Sequence, residues 1–382
     1  MAPDWTTARR RLRRLADPVA LAKRIASRRR HRHAIDREIR THIDGHTEKA
    51  MVTTRRPIAF PALPEELKKS ELFNAWWYYS AELMPGLIVT GLYPNDVPML
   101  PRVMMRRSNL EGMSCLDLGP MEGLMPVLMK RRGASRVLAV DAIDGSADKM
   151  EALKHYFSVD FDFRVVGLMY DLYRKLDGEP FDLIDCSGLL YHVFSPISVL
   201  AGLRPLLKRN GLLIVSTAVV NDPGYAMEFN NAARMQEESN TFWYLSIPLL
   251  EYTLRYLALQ PIDCTFYWFS NISIPHIRLG FDRPAGYMSV VCRAVDDVLP
   301  TDDDAWMRRS ARASWEHRGL CDLEAARRQP VSSVHYNLHR NADAWRPDTD
   351  SLNLWKAIET QPELCAASRL EDSHTLMLDH RS

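Results

Sequence analysis

Cys115-Leu116-Asp117-Leu118-Gly119-Pro120-Met121-Glu122-Gly123 joins a short apolar run to an amphipathic segment, and the fold turns on what this stretch does. Ser114 to Leu118 predicts a strand and Leu124 to Arg132 a helix, so the nonapeptide must carry the chain from one into the other. Gly119 allows the backbone to pass close to a ligand, and Gly123 relieves crowding where helix meets sheet. Outward from this turn, apolar runs predict strands at Arg136 to Asp141, Phe163 to Val166, Phe181 to Ser187 and Leu212 to Val219. Helices are predicted at Asp148 to Phe157, Pro196 to Leu207 and Ser246 to Tyr256. Such alternation marks a parallel sheet covered by helices. Thr265 to Phe269 and Met288 to Val291 follow without an adequate helix between them, which predicts an antiparallel hairpin at the sheet edge.

Open sheets of this kind bind ligands at the carboxyl ends of their strands. Asp141 ends the second predicted strand, 22 residues after Gly119, where its carboxylate suits both hydroxyls of a ribose. A dinucleotide fingerprint would place glycines at 121 and 124, because a diphosphate must approach the helix N-terminus closely. The chain has Met121 and Leu124 instead. Asp117, two residues before the first glycine, suits a cofactor with a positive amino-acid end and no phosphate. S-adenosylmethionine (SAM) therefore fits better than NAD.

The motif D-L-G-x-x-E-G at 117–123, Val137-Leu138-Ala139-Val140-Asp141, and the stretch from Phe181 through Gly188-Leu189-Leu190-Tyr191-His192-Val193 resemble the class I SAM-dependent methyltransferases. Trp77 to Gly86, Leu203 to Thr217 and Thr241-Phe242-Trp243 resemble one branch of them. That branch includes the tRNA wobble-uridine 5-oxyacetate carboxymethyltransferases and related small-molecule enzymes. The resemblance spans about residues 74 to 294 and implies a Rossmann-like α/β sheet, mostly parallel with the antiparallel hairpin last. It implies SAM contacts from Asp117, Gly119, Pro120, Met121, Gly123, Asp141 and Ala142. The adenine would lie by Leu168, Met169 and Tyr170, with Asp171 on its amino group; Ser187 would line the methionine portion and Tyr191 would sit beside the sulfonium. Members that use a carboxylated donor carry an upstream lysine, whereas no lysine or arginine occurs from Glu71 to Pro101, which points to ordinary SAM.

The reaction expected is methyl transfer to an O, N or C nucleophile of a small molecule, held in line with the sulfonium. Tyr191 is a candidate beside the reacting centre, and His192, Glu82 and Glu228 are candidate general bases. Tyr78, Trp243 and Tyr244 are candidates to stack on a flat acceptor or face the cationic methyl, with Tyr79 where the branch commonly has histidine. Asn230 and Arg234 fall in the long connection after the fifth strand, where loops carry specificity. Two other functions stay open at this point: a tRNA wobble-uridine modifying enzyme, and a non-catalytic SAM-fold interaction module.

Around this centre the 382 residues divide unevenly in charge. Residues 1–56 carry 16 Lys+Arg against 6 Asp+Glu, a net +10, and the remainder carries a net −9. Basic clusters such as Arg9 to Arg14 can meet phosphates, or form a solvated helix face. The expected organisation is a basic helical extension over 1–72, an aromatic lid or substrate cap over 73–112, the SAM-binding domain over 113–295 and a helical extension over 296–382. With 46% hydrophobic and 25% charged residues, the composition argues against a disordered or membrane-spanning chain. Six dispersed cysteines without a C-x-x-C pair suggest reduced thiols in a cytoplasmic protein. His335 and His339 are four apart, but without a carboxylate pattern no metal site is expected. A small-molecule acceptor is the expected partner, nucleic acid less so, and the helical ends are expected to form a lid, a homodimer contact or both.

Overall fold

The computed structural model describes residues 77–79, 81–84, 87–89, 91–93, 96–231, 235–236, 240–269, 283–296, 310, 313–314, 316–317, 321–337 and 352–360. The expected helical extension over 1–72 lies outside them, as does most of 296–382.

Seven principal strands form one sheet: β1 (Ser114–Leu118), β2 (Arg136–Asp141), β3 (Asp162–Val165), β4 (Phe181–Ser187), β5 (Leu207–Val220), β6 (Leu259–Trp268) and β7 (Ala285–Ala294). Their spatial order is 3-2-1-4-5-7-6. The first five run parallel, and β7 lies antiparallel to both β5 and β6. The predicted antiparallel ending is therefore present, with the second hairpin strand inserted against β5. Two short strands, Met227–Phe229 and Trp243–Ser246, extend the sheet where β5 outruns β4.

Helices α1 (Asp96–Arg106), α2 (Leu124–Arg131), α3 (Ala147–Phe157), α4 (Leu172–Lys175), α5 (Pro196–Leu203), α6 (Ile247–Tyr256), α7 (Leu323–Arg328) and α8 (Leu354–Thr360) accompany the sheet. Alternation along each strand builds two cores, one on each face. Leu116, Leu118, Leu138, Val140, Ile184 and Val215 pack on one face with α5 and α6. Cys115, Val137, Ala139, Leu183 and Ile214 pack on the other with α2 and α3. Cys115, Cys186, Cys264, Cys292 and Cys321 are buried free thiols.

Boundaries depart from expectation where proline or a bulge intervenes. The helix predicted to reach Leu207 ends at Leu203, because Pro205 has no N–H to continue the hydrogen-bond ladder, although Arg204 before it keeps helical dihedrals. A 3-10 turn over Arg204–Leu206 leads directly into β5, which begins five residues before the predicted Leu212. Strand β6 is longer than Thr265 to Phe269 because it tolerates Pro261 at a register shift on the sheet edge.

The described part of the C-terminal region is not wholly helical. His335–Tyr336 forms a short antiparallel pair with Ser108–Asn109, and Tyr336 Oη donates to Asp263 at 2.8 Å, beside Arg107 at 2.6 Å. His335 thus lies in a strand, and His339 lies outside the described residues. No described helix is long and apolar enough to cross a membrane.

Candidate active site

On the α2–α3 face the strands stay apolar until their carboxyl ends. There the inward positions become Asp117 on β1, Asp141 on β2, Asp185 and Ser187 on β4 and Ser216 on β5. All five line a cavity of about 810 Å³, closed from above by Tyr78, Tyr79, Arg102 and Tyr287.

The β1–α2 turn forms one wall. Gly119 adopts φ +70° and donates its N–H to Val140 O at 2.9 Å, holding the turn against β2. Gly119, Pro120, Met121 and Glu122 face the cavity. Gly123 does not: at φ +92° it caps α2, and a Cβ there would come within 2.6 Å of Met150 Cγ. Its role is close helix packing, so it is corrected from a ligand contact to a structural position.

Asp141 Oδ1 accepts the Ala142 N–H at 2.6 Å, while its other oxygen takes no hydrogen bond from the described residues. Burial raises its pKa, offset by those backbone donors. Ala142, Ile143, Leu168 and Met169 supply an apolar rim beside it. Tyr170 lies off the cavity, its hydroxyl accepting Ser195 N–H at 3.0 Å, and Asp171 pairs with Arg174 instead of facing the rim.

Arg102 is a cavity residue that sequence reasoning missed. It is 2% exposed, lines the cavity from α1, and makes no hydrogen bond or ion pair among the described residues. Burial lowers its pKa to about 10, so it remains a cation at neutral pH. A buried unpaired guanidinium is costly unless a ligand brings the anion, and its planar fork matches a carboxylate.

These groups fit SAM end by end. Arg102 would hold the methionine carboxylate, the acidic strand ends would face the ammonium, Asp141 would accept from the ribose, and Leu168 and Met169 would flank the adenine. Asp141→Ala is expected to weaken SAM binding by about 1 to 3 kcal/mol through lost ribose hydrogen bonds, read by calorimetry. Unchanged affinity would contradict that placement.

The opposite wall is aromatic. A Cβ on Gly188 would lie 3.4 Å from Tyr191 Oη and 3.9 Å from Tyr79 Oη, so the two hydroxyls converge above this glycine. Tyr191 also hydrogen-bonds Tyr287, which burial keeps as a neutral phenol. Tyr78 is tied to the cofactor turn, its N–H donating to Glu122 Oε1 at 2.5 Å.

His192 lines the same wall, and its Nδ1 lies 3.0 Å from the carbonyl oxygen of Asn240. A carbonyl only accepts, so in the neutral ring Nδ1 carries the proton and Nε2 is the basic nitrogen.

Several predicted residues lie elsewhere, each for a physical reason. Asn230 is buried in its own loop, where its amide donates to Gln236 O and Thr241 O and accepts Met235 N–H. Tyr244 is fully buried and donates to Gln236 Oε1. Trp243 donates its indole N–H to Phe194 O, off the cavity. Glu228 sits on the short strand Met227–Phe229 and pairs with Arg283 at 3.5 Å, which removes it from the candidate bases. The Glu82 side chain and Arg234 lie outside the described residues.

Residues 99–252 match the model of a methyltransferase domain family. The ubiquinone biosynthesis O-methyltransferase of Histophilus somni is 27% identical over 157 residues, covering 40% of this chain and 63% of that protein. The tRNA U34 carboxymethyltransferase of Pseudomonas fluorescens is 30% identical over 156 residues, covering 41% of this chain and 48% of that protein. The chain thus spans less than two thirds of the length of these curated relatives. Among solved structures, the N-terminal domain of EvdMO1 with SAH bound aligns at a TM-score of 0.43 and 16% identity, over 63% of this chain and all of that one.

Proposed function

Because residues 99–252 form a methyltransferase domain of the class I, SAM-dependent kind, we propose that the protein methylates an O, N or C nucleophile of a small molecule. The observation that carries this reading is the shared cavity: acidic strand ends, a free guanidinium and an apolar rim on one side, and tyrosines with His192 on the other. SAM supplies an electrophilic methyl on a sulfonium, so the chain's task is orientation and exclusion of water.

In this reading Arg102 and Asp141 fix the two ends of the donor. Tyr78, Tyr79, Tyr191 and Tyr287 hold the acceptor against it and supply hydroxyls to orient its nucleophilic atom. His192 takes the acceptor's proton on Nε2, its tautomer held by the Asn240 carbonyl. Among the described residues, Arg102 and His192 are the only basic side chains lining the cavity. One guanidinium matches the single carboxylate of ordinary SAM.

A tRNA-modifying role is the second reading, favoured by the net +10 over residues 1–56. Incubating the full chain with methyl-labelled SAM, fractionated metabolites and bulk tRNA tests both. Label in low-molecular-weight products is expected; label in tRNA would overturn the small-molecule assignment in favour of the second. SAM binding without transfer to either would favour the interaction module.

A further inference from the structure

Asp117 and Asp185 are direct partners in the β1–β4 register, so their side chains leave adjacent strands on the same face. They are 2% and 1% exposed, and both line the cavity. Asp185 Oδ1 accepts Ser187 Oγ–H at 2.6 Å, whereas Asp117 Oδ2 is buried and takes no hydrogen bond among the described residues. No cationic side chain enters into the charge balance of either carboxyl, and Asp141 adds a further negative charge. Two like charges buried side by side hold a proton between them until a cation arrives.

Resting on the SAM-dependent reading of this cavity, we infer that the Asp117–Asp185 pair is a specificity element that distinguishes the cationic donor from its neutral product. SAM enters with an ammonium, a sulfonium and a carboxylate, a net charge of +1. S-adenosylhomocysteine (SAH) carries the ammonium and carboxylate alone and is net neutral. With one shared proton the pair carries one negative charge. The extra positive charge of SAM displaces that proton to solvent and leaves the pair doubly negative; SAH displaces it less completely. Burial raises the pKa of both groups, that of Asp185 to about 6, which puts the exchange within reach of neutral pH.

The linkage has a definite sign. Ionisation of the pair is easier as pH rises, so SAM binding tightens relative to SAH binding with rising pH. Arg102 from α1, Glu122 from the β1–α2 turn, Asp141 from β2, Tyr191 and His192 from the 3-10 turn Leu190–His192 after β4, and Tyr287 from β7 line the same cavity. Groups that meet both ligands alike cancel in the ratio of the two dissociation constants; His192, on the wall beside the sulfonium, does not, so the ratio is read in His192→Gln as well, where the rise is expected to persist.

The test is calorimetry of the full chain with SAM and with SAH between about pH 5.5 and 7.5, below the usual range of α-amino groups. The ratio of SAH to SAM dissociation constants is expected to rise about threefold or more across this range in the wild type. In Asp185→Asn it is expected to stay flat, and Asp117→Asn serves where that variant does not fold. A flat ratio in the wild type overturns the inference while leaving SAM binding intact, and so does an unchanged rise in the folded variant. Absence of SAM binding at every pH overturns the methyltransferase reading itself.

Discussion

Arg102→Ala is expected to weaken SAM binding by about 2 to 5 kcal/mol, a loss of about thirtyfold to several thousandfold. This is the range for truncating one partner of a buried, hydrogen-bonded charge pair. The apo-protein should lose no thermal stability from the same change. Arg102 is 2% exposed and takes no hydrogen bond or ion pair among the described residues, so the attraction of Tyr79 and Glu122 offsets its desolvation only in part. Arg102→Lys should fall between, since it keeps the charge but loses the planar fork. Calorimetry and thermal melts on the same samples separate the outcomes. A parallel loss of melting temperature and affinity would make Arg102 a packing residue.

His192→Gln is expected to lower kcat by about 10² to 10⁴, the usual contribution of a positioned base, while SAM affinity changes by less than about threefold. The acceptor found by the labelling experiment supplies the assay. At saturating SAM, the acidic limb that a protonated His192 gives the kcat profile should disappear in the variant. A uniform rise in KM with kcat preserved would instead assign His192 to acceptor binding. Its geometry favours the first result, because the Asn240 carbonyl holds the Nδ1 proton in place.

The scaffold is legible in the sequence because each central strand is a continuous apolar run bounded by a turn. β1, β2 and β4 have the predicted limits. Asp117, Gly119 and Asp141 are legible for a related reason: they fall at strand ends, where an open sheet meets its ligand. What was not legible depends on contacts between distant segments. Arg102 stands four residues before Arg106 in a helix containing Leu100, Val103, Met104 and Met105, all of them buried. Arg102 and Arg106 share the polar side of an amphipathic helix, so periodicity alone turns both toward solvent, and only the folded chain places Arg102 at the cavity. The scan for a basic residue from Glu71 to Pro101 also stops one position short of it.

Asp185 was missed because Phe181 to Ser187 reads as one buried strand, and its pairing with Asp117 follows from a register that only the folded sheet defines. Asn230, Trp243 and Tyr244 show the converse. Asn230 suits an acceptor site by its position after the fifth strand, and Trp243 and Tyr244 by their flat rings, but their hydrogen-bonding groups are taken up by Gln236, Thr241 and Phe194. Tyr78, Tyr79, Tyr191 and His192 were placed by resemblance, and their convergence on one wall comes from Trp77–Tyr79 meeting the turn after β4.

The central claim is that the β1–α2 turn cradles a nucleoside sulfonium and not a dinucleotide. Titrating the full chain with SAM and, separately, with NAD in a calorimeter tests it most directly. The account predicts one SAM per chain, displaceable by SAH, and no heat with NAD. Saturable NAD binding, or no heat with SAM, would contradict it.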